Sequence, residues 1–233
     1  MRKRVLPSED VTFHSVTKTI RQNTVVDGVS LKMESGRVYG FQGKNGSGKT
    51  MLMKLLCGLI RPSSGTIEIG SQTLGKDISF PPSIGALIEN PAFLPGESTY
   101  QNLKIINGLT DTPVTPETIR ETIEQVGLSH AGAKPYRQFS LGMKQRLGIA
   151  AAILGTPEIV VLDEPTNALD QDGVALMREI CAFLKNAGCL VVLSCHDAEE
   201  LDLLCDSVFV IRSGKLTAIK EKTPEGEWSY VET

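Results

Sequence analysis

The chain has 233 residues, 41% hydrophobic and 22% charged, which fits an ordinary globular protein of one large or two small domains. With 24 basic against 27 acidic side chains its net charge is −3, so no electrostatic footprint points to a nucleic-acid partner. Cys57, Cys181, Cys189, Cys195 and Cys205 form no CxxC pair, and an odd number fits a reduced, cytosolic chain better than a disulfide framework.

Taken in chain order, MRKRVLPSED is basic but has no apolar stretch behind it, so no signal peptide is expected. VTFHSV (11–16) alternates and VVDGVSLKM (25–33) carries β-branched residues with a glycine break, which predicts short strands within 1–35. RVYGFQG (37–43) reads as a buried strand ending in glycine, and the loop GKNGSGKT follows. In TMLMKLLCGLI (50–60), Leu52, Leu55, Leu56 and Leu59 fall at i, i+3, i+4 and i+7, one apolar helix face closed by Gly58 and Pro62. TIEIG (66–70) is a further strand.

From about 90 to 155 the pattern turns helical: STYQNLKIIN, TPETIRETIEQVG and SLGMKQRLGIAAAILG. Strands return at IVVL (159–162), CLVVLS (189–194) and SVFVIRSGKL (207–216), with helices between them at 172–186 and 197–204. This alternation predicts an α/β fold around a mainly parallel sheet, with a helical subdomain inserted. The longest apolar runs, such as CLVVL, fall far short of the roughly 20 residues a membrane span needs. The chain is expected not to cross a membrane by itself, though a partner can hold it on one. The tail KEKTPEGEWSYVET is polar and is expected to be loosely ordered.

GKNGSGKT, 43–50, fits the phosphate-loop pattern GxxxxGK[ST]. Gly43, Gly46 and Gly48, with Lys44, Asn45 and Ser47 between them, let the backbone turn its N–H groups inward at phosphate oxygens. The following helix adds its positive N-terminal end. Lys49 is placed to reach the β- and γ-phosphates, and the Thr50 hydroxyl to bind Mg²⁺. A glycine loop between strand and helix needs no ligand by itself; here the buried strand before it and the amphipathic helix after it favour nucleotide binding.

In EIVVLDEP, 158–165, four apolar β-formers precede two carboxylates. An Asp at the end of a buried strand, Asp163, can orient the Mg²⁺ shell. Glu164 beside it can polarise the attacking water as a general base. Alone the segment reads rather as an Asp-Glu-Pro turn leaving a strand; the phosphate loop upstream tips it to function. His196 alone would read as a structural histidine. Its place at the C-terminal end of a strand, where α/β sheets bind ligands, moves it towards function. A metal site from Cys195, His196 and Cys205 is conceivable, but the spacing follows no zinc pattern.

The ordered set GKNGSGKT, FSLGMKQR, VVLDEP, NALD (167–170) and SCHD (194–197) resembles the nucleotide-binding subunit of ATP-binding cassette (ABC) transporters, over about 11–216. The resemblance implies a P-loop NTPase (RecA-like) α/β core with a small antiparallel β part and an inserted helical subdomain. The core would occupy 1–88 and 157–220, the helical subdomain 89–156 and a polar tail 221–233. It also implies phosphate and magnesium ligands in the loop glycines, Lys49 and Thr50, a metal-orienting Asp163, a catalytic base in Glu164, and a γ-phosphate switch in His196. Asp170 would belong to the loop that crosses between two cassettes. FSLGM stands where that family usually reads LSGGQ: Ser140 and Gly142 match, Leu141 and Met143 do not. Ser140 is also a good N-cap, and Met143, Leu147, Ala150 and Leu154 line an apolar helix face. Gly142 in the first turn costs about 1 kcal/mol against Ala, and a phosphate approaching the helix end is a reason for it.

Three positions depart from the family pattern. Ile20 stands near the place of an aromatic residue that stacks on adenine, so GTP is expected to serve as well as ATP. Glu89 replaces a Gln that reaches toward Mg²⁺ and water, unless it is simply a solvated side chain. Met51 replaces a frequent second Thr, which removes an α-phosphate hydrogen bond. GALIENPAF with FSLGMKQRL is similar to cassettes of peptide-antibiotic export and self-immunity in Gram-positive bacteria; general drug or lipid exporters are the alternative. The expected protein is therefore an MgATP hydrolase, cytoplasmic and peripheral on the inner face of the cell membrane. It would pair with a second cassette and drive a separate permease, with Asn90 to Lys104 as the contact and no nucleic-acid partner. Rival readings are a non-transport ABC ATPase in translation or DNA repair and a binding-only cassette.

Overall fold

The computed structural model describes residues 10–89, 92–223 and 225–231. Its centre is a seven-stranded sheet in the order β11-β10-β9-β3-β8-β7-β6. The strands β3 (Val38–Gln42), β6 (Ile84–Leu87), β7 (Ile159–Leu162), β8 (Leu190–Cys195) and β9 (Ser207–Arg212) run parallel. The strands β10 (Lys215–Lys222) and β11 (Trp228–Val231) add antiparallel. A second, antiparallel sheet has the order β2-β1-β4-β5, from β1 (Val11–Ile20), β2 (Asn23–Met33), β4 (Ser64–Ile69) and β5 (Gln72–Thr73). The fold class is the one the sequence predicts, a mixed α/β fold with a parallel sheet and an antiparallel part.

Every residue of β7 and β8 is buried. Both faces of the parallel sheet are covered, which is why these strands read as unbroken apolar runs rather than alternating ones. One face packs on α1 (Lys49–Leu56) and the antiparallel sheet, through Phe41, Phe209, Leu52 and Met53. The other packs on α4 (Leu141–Ile153), α5 (Gln171–Asn186) and α6 (Ala198–Leu204), through Val191, Leu193, Leu147 and Met177. The shorter helices α2 (Thr99–Asn107) and α3 (Pro116–Gln125) pack with α4. Ser98, Thr115, Ser140, Asp170 and Asp197 each accept a backbone N–H in the first turn of the helix they precede, so five helix starts are set by side-chain oxygens.

Four differences from the sequence expectation have physical causes. Helix α1 stops at Leu56, where Gly58 turns left-handed (φ 71°), so Leu59 points outward at 56% exposed and the buried face holds three leucines rather than four. The strand β6 goes unseen because Gly85 interrupts it; a Cβ there would run into the Ala152 carbonyl, so α4 lies directly on this strand. SVFVIRSGKL is two strands, β9 and β10, because Ser213 (φ 47°) and Gly214 (φ 80°) form a two-residue hairpin turn with both φ positive. The tail is not loose over Trp228–Val231, which pairs with β10 from Lys222↔Trp228 to Ile219↔Val231. No helix among the described residues is long and apolar enough to cross a membrane.

Candidate functional site

The phosphate-loop residues lie between the end of β3 and the start of α1. Lys49 is 6% exposed. Its ammonium donates to the Gly43 carbonyl at 2.7 Å and lies 3.8 Å from Glu164 Oε1. Gly48 has φ 111°, and a Cβ on it would come within 2.7 Å of the Val25 carbonyl oxygen, so only glycine fits this turn. The Ser47 hydroxyl is buried without a hydrogen-bond partner. A buried orphan hydroxyl in a glycine-rich loop at a helix start suits an anionic oxygen. Lys44, Asn45 and Gly46 are exposed beside it, and Met51 is partly buried against the core. A cleft of about 980 Å³ opens at the loop, lined among others by Lys44, His196, Arg212, Lys220 and Tyr230, with no acidic side chain in its lining among the described residues. Such a lining favours a polyanion.

Behind the loop, the start of α1 and the ends of β7 and β8 converge on the carboxylates. Thr50 Oγ1 donates to Asp163 Oδ2 at 2.8 Å. Ser194 Oγ, fully buried, donates to Asp163 Oδ1 at 2.5 Å and accepts from the Glu164 N–H at 3.0 Å. One oxygen pair, hydroxyl and carboxylate, is thus presented together, a donor set that suits a hard divalent cation such as Mg²⁺. Glu164 sits at φ 49°, a strained conformation for a non-glycine residue. Its Oε2 meets His196 Nδ1 at 3.0 Å. The hydrogen bond and charge of Glu164 raise the His196 pKa above its ordinary value of 6.5.

Other sequence candidates fall elsewhere. Glu89 (φ 59°) bonds to Lys54 Nζ at 2.6 Å, one helical turn beyond Thr50, and not to Thr50 or Asp163. Ile20, 43% exposed, ends β1 at the hairpin turn. Ser140 accepts from the Met143 N–H at 3.2 Å, and Leu141 beside it is 68% exposed. A Cβ on Gly142 would stand 3.0 Å from the Ala168 carbonyl oxygen. The chain therefore has its own packing reason for this glycine, besides any phosphate. Asp170 caps α5 through the Gly173 N–H at 2.9 Å and lies 3.7 Å from Arg146 Nη2. Of the cysteine–histidine grouping, Cys195 and His196 cluster with Glu164, within 4.8 Å, rather than with Cys205. Burial raises the Cys195 thiol to about 12, which keeps its proton on and disfavours metal ligation.

Three site residues escaped the sequence reading: Ser194, Thr166 and Gln145. Gln145 Nε2, on α4, donates to the Glu164 and Pro165 carbonyls at 3.0 and 3.1 Å. A serine or threonine closing an apolar strand, or following the acidic pair, was the available signal.

The family model described as ABC transporter matches residues 26–167. The chain is 43% identical over 202 residues to the uncharacterized ABC transporter ATP-binding protein YybJ of Bacillus subtilis, covering 87% of this chain and 92% of that one. It is 36% identical over 210 residues to the lantibiotic transport ATP-binding protein SrtF of Streptococcus pyogenes, covering 90% of each. A solved dimeric ATP-binding cassette, in a post-hydrolysis state with ADP and Pi, superposes with a TM-score of 0.81 at 22% identity, over 91% of this chain and 98% of that one. The chain belongs to the ABC transporter ATP-binding family. It is an ATP-binding, ATP-hydrolysing subunit of an ABC transporter.

Proposed function

We propose that the chain hydrolyses MgATP in a head-to-tail pair with a second cassette, using Glu164 as general base, and powers a separate membrane subunit that exports a drug or antimicrobial peptide. The observation that carries the reading is the 3.0 Å contact between Glu164 and His196, held beside Lys49 and the Thr50–Asp163 pair. Lys49, the buried Ser47 hydroxyl and the loop N–H groups would bind the phosphates. Thr50 and Asp163 would hold Mg²⁺, which when bound neutralises charge at the β- and γ-phosphates. Glu164 would take the proton of the attacking water, and His196 would orient that carboxylate. Asp170, Ser140 and Gly142 would belong to the face turned to the other cassette. The lantibiotic transport relative supports the export reading, and the dimeric ADP-bound cassette the pairing. We also propose the core as 1–88 with 157–220 and the helical subdomain as 89–156, the whole peripheral on the inner face of the membrane.

The test is Glu164→Gln, which keeps size and loses the base. Steady-state hydrolysis should fall by about 10²-fold or more, and MgATP should trap a dimer visible by size-exclusion chromatography. Unchanged hydrolysis would remove Glu164 from the role.

A further inference from the structure

Beside the Glu164–His196 pair lies a carboxylate that no step above uses. Glu200, in the first turn of α6, receives two hydrogen bonds on one oxygen, Oε2: from the Thr166 hydroxyl at 2.5 Å and from the Cys195 thiol at 3.1 Å. Thr166 lies two residues beyond Glu164, and Cys195 immediately precedes His196. Both donors are buried, at 7% and 1% exposed. The high Cys195 pKa keeps this thiol protonated at neutral pH and so able to donate.

The helix that carries Glu200 is capped and packed on the sheet. Asp197 caps α6 through the Glu199 N–H at 2.9 Å, and Leu201 is fully buried. A Cβ on Gly40 of β3 would meet Leu201 at 2.8 Å, so α6 rests directly on the central sheet. Glu164 needs such support, because its left-handed backbone persists only where the surroundings hold it. Ser194 fixes its N–H, and Gln145 takes the carbonyls of residues 164 and 165. Neither ties the chain beyond Pro165 to the segment that carries His196.

We propose that Glu200 is a positioning residue for hydrolysis: it binds the loop after β7 and the end of β8 to one oxygen and so keeps the Glu164 carboxylate on the His196 imidazole. Bonds to an ionised acceptor are the stronger kind, and a misplacement of about 1 Å at a reacting group costs about 10²-fold. The inference rests on the assignment of Glu164 and His196 above.

Hydrolysis and direct MgATP binding by the purified full chain test it. Glu200→Ala should lower kcat by about 10- to 100-fold, with KM for MgATP within about threefold of the parent. Glu200→Gln retains a carbonyl that accepts from both donors and should stay within about threefold in kcat. Thr166→Val should lose kcat like Glu200→Ala, Thr166→Ser should restore it, and the double variant Glu200→Ala with Thr166→Val should be no worse than Glu200→Ala alone, within about twofold. A parent-like kcat in Glu200→Ala, equal damage in Glu200→Gln, or losses that multiply in the double variant would each overturn the proposal. Where Glu200→Ala binds no MgATP and melts early, the Thr166→Val and Thr166→Ser pair decides it. Glu164→Gln is run beside them: if it alone hydrolyses normally, the base assignment fails, whatever the Glu200 variants do.

Discussion

Ser194 is fully buried and serves both carboxylates at once, donating to Asp163 and accepting from the Glu164 backbone. Ser194→Ala strips the Glu164 N–H of its partner and Asp163 of one of its two donors, which should cost about 1–3 kcal/mol of stability, read by urea unfolding, together with a loss of kcat. Retention of both would make the bridge incidental. The sequence hid this residue because it closes an apolar run, and its partners lie 31 and 30 residues upstream. Asp163 and Glu164 were legible because they follow a buried strand at a spacing a phosphate site uses. His196 was legible as a strand-end residue, but its contact with Glu164 was not, since only the pairing of β7 with β8 brings the two ends together. That contact has a pH consequence. Glu164 favours the imidazolium, so the folded pKa lies above 6.5. The pair's contribution to stability is then full below the unfolded pKa and fades as pH rises through the raised folded one. The His196 ring, one of three histidines, should titrate above 6.5 by NMR, and Glu164→Gln should bring the midpoint down. A midpoint indifferent to Glu164→Gln would mean the contact is absent in solution.

At the scale of elements, the start of α4 was legible through its cap, and the edge strands were not. Ser140 announces α4 locally, whereas β6 lies directly under α4 and, among the described residues, β11 pairs only with β10. The start of α4 shows a limit of motif reading. Gly142 looks like a ligand-facing glycine, yet the Ala168 carbonyl crowds it within the same chain. A substitution at Gly142 therefore disturbs the 167–170 loop and cannot isolate dimerisation. Leu141, 68% exposed, is the cleaner probe. Leu141→Asp puts a carboxylate at a helix N-terminus, which is worth about 0.3–1 kcal/mol to the isolated chain while opposing a phosphate held by a facing cassette. The variant should melt no earlier than the parent and bind MgATP as a monomer. Combined with Glu164→Gln it should fail to form the ATP-trapped dimer. A normal dimer would take Leu141 off that face.

At the scale of the whole molecule the order of motifs along the chain was readable, because each is a short contiguous segment. A second cleft, of about 780 Å³, was not readable: it forms where β6, the 109–114 loop and the end of α4 meet, three segments distant in sequence. Leu94 and Leu109 stand exposed nearby, at 51% and 82%, although Asn90, where the permease contact was expected to begin, lies outside the described residues. Apolar side chains in water near a cleft suit a docking partner, and the segment from 92 to Lys104 remains our assignment for the membrane subunit. Thiol chemistry makes this testable. All five native cysteines are buried, and burial raises Cys57 and Cys181 to about 12 and Cys189 to about 11. A cysteine introduced at Leu94 is therefore the reactive one, since the exposed thiolate is the nucleophile. Maleimide should label Leu94→Cys rapidly in the purified chain. In membranes from cells that also express its membrane subunit, labelling should slow by about tenfold, the effect of burying a thiol under about 1.4 kcal/mol of opening free energy. Equal rates in the two preparations would exclude this segment from the interface.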